Sequence, residues 1–187
     1  MVRLFQDIGG RIEVNAPVAR IEAAGKRVSG VRLEDGRFFA ADAVASNADV
    51  VHTYASLLNQ HPRGLAEGAS LQKKRFSNSL FVIYFGLDHH HSQLQHHTVC
   101  FGPRYRGLID EIFNGDTLAD DFSLYLHAPC VTDPSLAPPG CGSHYVLAPV
   151  PHLGNAPIDW ETEGPRYADR IFDYLEERYM PGLRSQL

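Results

Sequence analysis

Apolar and polar positions along the chain fall into runs whose period changes several times. Val2, Phe5 and Ile8 lie close to a helical spacing, and Gly9-Gly10 is a helix stop. Arg11 to Asn15, RIEVN, alternates as a short strand. Two hairpins follow. ARIEAAGKRVSGVRL turns at Gly25-Lys26, and VRLEDGRFFAADAVA turns at Asp35-Gly36, a residue pair that suits the twist of paired strands. Ala43-Val44-Ala45 is short and wholly apolar. It predicts a strand buried on both faces, whose neighbours residues 1–47 do not obviously supply.

Asp49 is a suitable N-cap for a helix striped by Val50, Val51, Tyr54, Leu57 and Leu58, which His61-Pro62 ends. Residues 63–75 are small and polar and become basic, a loop or a weak helix. Ser79 to Leu87, SLFVIYFGL, is rich in aromatic and β-branched residues and predicts a strand covered on both faces. Tyr105, Leu108, Ile109, Ile112 and Phe113 form one helical face, stopped at Asn114-Gly115. FSLYLHA and SHYVLAPV predict two strands, joined by the Pro- and Gly-rich loop TDPSLAPPGCG in the manner of an antiparallel pair. Thr162 to Tyr179 predicts the longest helix, with Pro165 in its first turn and Met180-Pro181-Gly182 after it.

The 187 residues suffice for one domain or two small lobes, with ordinary apolar (44%) and charged (21%) content. A net charge of −5, with no basic cluster larger than Lys73-Lys74-Arg75, argues against nucleic-acid binding. Three cysteines at unpatterned spacings, Cys100, Cys130 and Cys141, argue against a disulfide framework and for a reducing, cytoplasmic setting. No apolar run reaches the roughly 18 residues of a spanning helix. Arg3 and Asp7 interrupt the N-terminal stretch, which is not a signal peptide.

Phe85 to Pro103 contains His89, His90, His91, His96 and His97 beside Cys100. Consecutive histidines cannot all point one way, and neither HExxH nor CxxC is present, so the run reads as an exposed polar loop and no metal site is assigned. GxSxG, GxGxxG and GxxxxGK[ST] are likewise missing. Cys130, beside a proline, reads as a small structural residue, and Asp110-Glu111 and Asp120-Asp121 read as solvated acids. No catalytic residue is assigned. On its residues alone the chain is an α+β protein with a strongly apolar sheet. Phe81, Tyr84, Phe85, Tyr125 and Tyr145 have two readings: core, which is the commoner fate, or the wall of a site for a large apolar ligand.

The order of the pieces carries a resemblance. Residues 4–54, from LFQDIGG to VVHTY, are similar to the middle of FAD-dependent amine-oxidase-type flavoproteins, and within them to the bacterial phytoene desaturases of carotenoid synthesis. KKRFSNSLFVIYFGLDHHH, HHTVCFGPRYRGLIDEIF, DFSLYLHAPCVTDPSLAP, YVLAPVPHLG and YLEERYMPGLRSQL are similar to the lycopene-forming members. The resemblance implies an internal fragment. Residues 1–47 would be a β-meander segment of the FAD domain, with Ala43–Ala45 returning to a parallel sheet built elsewhere. Residues 48–187 would be a substrate domain, an antiparallel sheet flanked by helices. The N-terminal Rossmann-like part and a C-terminal FAD motif would lie outside the segment.

It also implies FAD as cofactor, with Val18 against the adenine, and desaturation of 15-cis-phytoene towards all-trans-lycopene. Phytoene and the carotene intermediates would be the ligands, walled by Phe81, Tyr84, Leu124, Leu126, Tyr145 and Leu147. A bilayer-dwelling substrate implies a cytoplasmic protein peripheral to the cell membrane, with Lys73-Lys74-Arg75-Phe76 as a lipid contact or simply a solvated basic turn. Truncation would expose apolar surfaces that self-associate. The alternatives are a carotenoid- or lipid-binding module without catalysis and a related isoprenoid oxidoreductase.

Overall fold

The computed structural model describes residues 1–187. The chain forms two compact units, Met1–Arg75 and Phe76–Leu187. Helices and antiparallel sheets are mixed in the way expected of an α+β protein.

The first unit opens with helix α1 (Val2–Asp7), none of whose residues is buried. Strands β1 (Val18–Ala24), β2 (Arg27–Leu33) and β3 (Phe38–Ala40) form an antiparallel meander with turns at the two predicted positions. Glu22 ties the sheet together by accepting from Arg20 (3.1 Å) and Arg32 (2.5 Å). The two guanidinium groups, Arg32 foremost, hold its carboxyl below the usual range. Gly30 has φ +152°, and a Cβ there would run into the Phe39 carbonyl oxygen of the neighbouring strand, so only glycine fits.

Two predicted strands are not formed. Residues 11–15 and Ala43–Ala45 have irregular backbone and pair with nothing in the sheet. A strand exists only where a neighbouring strand takes up its backbone hydrogen bonds, and the sheet of this unit ends at β3 without pairing to either segment. Helix α2 (Val50–His52) is capped by the Asp49 carboxylate, which accepts from the His52 amide at 3.0 Å, and continues as a π-helical stretch, Thr53–Leu57. Residues 62–71 then form a full helix, α3 (Pro62–Leu71), started by Pro62 in the first turn. His61 Nε2–H donates to the Gly25 carbonyl (2.8 Å) while Nδ1 accepts from the Arg63 amide (3.2 Å). That one ring caps α3 and pins it to the first hairpin turn. The compact unit therefore runs past residue 47.

The second unit is a four-stranded antiparallel sheet of β4 (Ser79–Leu87), β5 (His97–Cys100), β6 (Leu124–His127) and β7 (Gly142–Val150), in the order β4-β7-β6-β5. Strand β5 lies inside what the sequence predicts to be a loop. Helix α4 (Tyr105–Asn114) connects β5 to β6 and buries Leu108 and Ile112. Helix α5 (Trp160–Arg178) is capped by Asp159, which accepts from the Glu161 amide and the Thr162 hydroxyl. It begins two residues before the predicted start, so Pro165 lies inside it rather than in its first turn. Its buried stripe, Gly164, Tyr167, Ile171 and Leu175, packs with Leu124, Leu126, Val146, Ala148 and Val150 of the sheet, and the short α6 (Leu183–Gln186) closes the core with Leu183. Cys100 and Cys130 are buried, and burial pushes the Cys100 thiol up.

Candidate functional site

The strand pairings decide what each sheet residue faces. Directly opposed residues share a face. Phe81–Ala148, Ile83–Val146 and Phe85–His144 are opposed between β4 and β7, Leu126–Val146 between β6 and β7, and Cys100–Leu124 between β5 and β6. This is the face under α5. The outer face carries the intervening residues in two rows. One row runs His97, His127, Tyr145, Tyr84, and the next runs Val99, Tyr125, Leu147, Val82, with Pro149 and Leu80 beyond.

The two faces differ in burial. Leu126 and Val146 are 0% exposed, whereas Tyr84 is 78% and Val99 56% exposed. Strand β4 is thus covered on one face only, not on both as its composition predicts; aromatic and branched residues fill both faces of the strand and do not report which is covered. Of the six residues named as a ligand wall, Tyr84, Tyr145 and Leu147 lie on the outer face. Leu124 and Leu126 are in the core, and Phe81 is packed against α5, stacked on Trp160 (5.2 Å) and edge-on to Tyr167 (5.2 Å). Period-two alternation makes this division unavoidable, because Leu124 and Leu126 are on the face opposite Tyr125.

The outer face is aromatic and nearly uncharged. Tyr84 meets Tyr145 (5.5 Å between ring centroids), Tyr145 meets Tyr125 (5.8 Å) and His127 (4.6 Å), and His97 stacks on His127 (5.3 Å). Partial burial, followed by the hydrogen bond and charge of Tyr145, raises Tyr125 above an ordinary phenol. Partial burial, then the neighbouring His96 and His97, lowers His127. Both shifts favour the neutral side chains, so the face presents rings, methyl groups and hydroxyls rather than charge. Such a surface suits a long apolar ligand.

Sequence reasoning missed β5 and with it the partnership of His96, His97 and His127. The signal was present: HTVC alternates, and pairing it with LYLH sets His97 opposite His127. Val18, the residue tied to FAD, opens β1 opposite Leu33 and is 37% exposed, an apolar side chain open at a strand end. That fits a contact with an adenine ring. No anchor for the phosphates of such a group accompanies it in the first unit, where Gly9 and Gly10 follow α1 rather than opening a helix.

The chain is similar along its whole length to lycopene-forming phytoene desaturases from Pseudescherichia vulneris (72% identical) and Pantoea ananas (69%), and spans 38% of each. It is 39% identical, again over its full length, to a neurosporene-forming phytoene desaturase from Cereibacter sphaeroides, spanning 37% of it. The chain thus covers little more than a third of the curated relatives it matches, all of them oxidoreductases. No family model matches. Among solved structures, an oxidoreductase from Methanosarcina mazei superposes with TM-score 0.59 at 15% identity, over 97% of this chain and 37% of that one, which shows a shared fold.

Proposed function

We propose that this chain is a segment of an FAD-dependent, lycopene-forming phytoene desaturase and that the outer face of its second unit walls the polyene. The observation that carries the proposal is the pairing of a 72% match along the entire chain with a sheet face made of Val82, Val99, Leu147, Tyr84, Tyr125 and Tyr145. A hydrocarbon substrate has no polar handle, so its position is fixed by shape and by exclusion of water. Strands about 4.8 Å apart carry the two rows side by side, a strip on which an extended, unsaturated chain lies against aromatic rings. The ligand wall is therefore reassigned to Tyr84, Tyr145 and Leu147 together with Val82, Val99 and Tyr125.

FAD, when bound, supplies the hydride acceptor that desaturation of an alkyl chain requires. In this reading Val18 packs on its adenine, and the phosphate-binding part of the site belongs to residues outside positions 1–187. This chain's own contribution is to bind and orient the substrate and keep it dry. The 15-cis-phytoene and the carotene intermediates reside in the bilayer, so a peripheral, cytoplasmic station on the membrane follows. No helix is long and apolar enough to cross one. Lys73 and Lys74, exposed after α3, supply a contact for anionic headgroups. Exposed Leu4, Ile8 and Val14 in the first unit supply a surface for self-association.

Expression of the complete reading frame in a bacterial host that accumulates phytoene tests the assignment. Lycopene as the main pigment is the expected result. Unconverted phytoene, with the protein present in the membrane fraction, contradicts it.

A further inference from the structure

We propose that His96, His97 and His127 form a binding site for a divalent first-row transition metal ion of the zinc type. One ring nitrogen of each lies within 4.8 Å of one from each of the others. His96 ends the β4–β5 connection, His97 opens β5, and His127 closes β6 directly opposite His97 in the sheet register. The ring centroids are 4.3 Å (His96–His97), 4.7 Å (His96–His127) and 5.3 Å (His97–His127) apart. Three residues distant or awkward in sequence are thus brought together by one strand pairing.

Hydrogen bonding at the far side of the rings supports ligation. His96 Nδ1 meets the Thr132 hydroxyl at 2.5 Å, and His97 Nδ1 meets the Tyr125 hydroxyl at 2.6 Å. Each hydroxyl can accept from Nδ1–H, and in that tautomer the Nε2 lone pair is free. That is the outer-shell arrangement by which proteins orient metal-binding imidazoles. His96 Nε2 and His127 Nε2 face each other at 2.9 Å. Without a metal one of them must carry a proton, and two rings are spent on a single hydrogen bond. His127 Nδ1 is buried without a partner, so ligation through Nε2 leaves it a proton without an acceptor, a cost the metal bond must offset. Two imidazole nitrogens on one tetrahedral zinc sit about 3.3 Å apart, given metal–nitrogen bonds of about 2.0–2.1 Å. Ligation requires the ring nitrogens, now within 4.8 Å of one another, to rearrange to that spacing.

The ligand set selects the ion. Three neutral imidazoles with no carboxylate suit zinc, nickel or copper and are poor partners for magnesium or calcium. Water completes the sphere, and the ion joins the edge strand β5 to β6. The site lies at the β5/β6 end of the outer face, the end away from Tyr84, and a bound ion puts charge there alone; it stands on this geometry and does not rest on the desaturase reading.

The test is equilibrium dialysis of the purified protein against zinc chloride, with cobalt(II) absorbance as a second readout. The expected result is one ion per protein at low micromolar affinity and intense cobalt bands of a four-coordinate site. H127Q is expected to weaken binding at least ten-fold, as is H97Q, and each is checked for an unchanged circular dichroism spectrum. The double variant H89A/H90A, which removes exposed histidines of the same run, is expected to bind as the parent does. Should H97Q fold normally while H127Q does not, H97Q alone decides the matter. Absence of zinc binding at 100-fold higher concentration overturns the proposal. So does binding that survives H97Q and H127Q but is lost in H89A/H90A, since the ion would then be held by the exposed run.

Discussion

At the scale of single residues, the structure separates side chains that hold the fold from those left on the open outer face. Leu126 is fully buried between the sheet and α5, so Leu126→Ala leaves a cavity and is expected to cost about 2–5 kcal/mol, read from the shift in a urea unfolding midpoint. Tyr84, on the outer face, is mostly exposed, and Tyr84→Ser is expected to change stability by no more than about 0.5 kcal/mol. Gly30→Ala puts a side chain where φ is +152° and where the Phe39 carbonyl blocks it, so a loss of at least about 2 kcal/mol is expected in the same measurement.

His144 makes the pH dependence of stability a residue-scale matter too. It is buried on the α5 face, stacked on Phe85 at 5.3 Å, and burial, then the nearby His91, His90 and His127, pushes it down to about 4. Unfolding returns it to an ordinary imidazole value near 6.5. Between those two values the unfolded chain binds the extra proton, so stability falls as pH drops from about 6.5 to about 4 and is level below that. The loss assignable to this group is at most about 3 kcal/mol. His144→Phe is expected to flatten that part of the urea-midpoint profile relative to the unchanged protein; an identical slope in both would show that His144 is not the group responsible.

At the scale of elements, what was legible followed local chemistry. The turns at Gly25-Lys26 and Asp35-Gly36, the cap at Asp49, and helices α4 and α5 each announce themselves through turn residues, caps or a 3.6-residue stripe. What was illegible depended on partners distant in sequence. Ala43–Ala45 has strand composition and no strand to pair with. Strand β5 has four residues and a histidine-rich approach that masks its alternation, and only pairing with β6 makes it a strand. The two faces of β4 are equally apolar in sequence, and α5, about 75 residues further on, decides which is core. The same reason applies to the expected ligand wall: composition picks out apolar and aromatic residues, and only strand pairing tells which sheet face each one lies on. The cap on α5 is a local feature and carries a local expectation. Asp159→Ala removes two acceptors and is expected to cost about 1 kcal/mol in unfolding free energy.

At the scale of the whole molecule, two compact units differ in what they expose. The first is a meander stiffened by the Glu22 ion pairs and the His61 pin, offering Val18 at a strand end. The second is a sheet with one face spent on its own core and the other left aromatic and neutral. The segment recurs along its whole length in relatives nearly three times as long, and in the proposed function it brings a wall and an orienting surface to a larger catalyst. Leu147 lies at the centre of that wall, opposite Val82 on one side and Tyr125 on the other. The decisive measurement is therefore the rate of 15-cis-phytoene conversion by the complete enzyme carrying Leu147→Arg, with Arg166→Ala on the exposed side of α5 as control. At least a ten-fold loss of conversion is expected with Leu147→Arg, with an unchanged melting profile and no effect of the control. Full conversion by a folded Leu147→Arg enzyme would contradict the assignment of this face to the substrate.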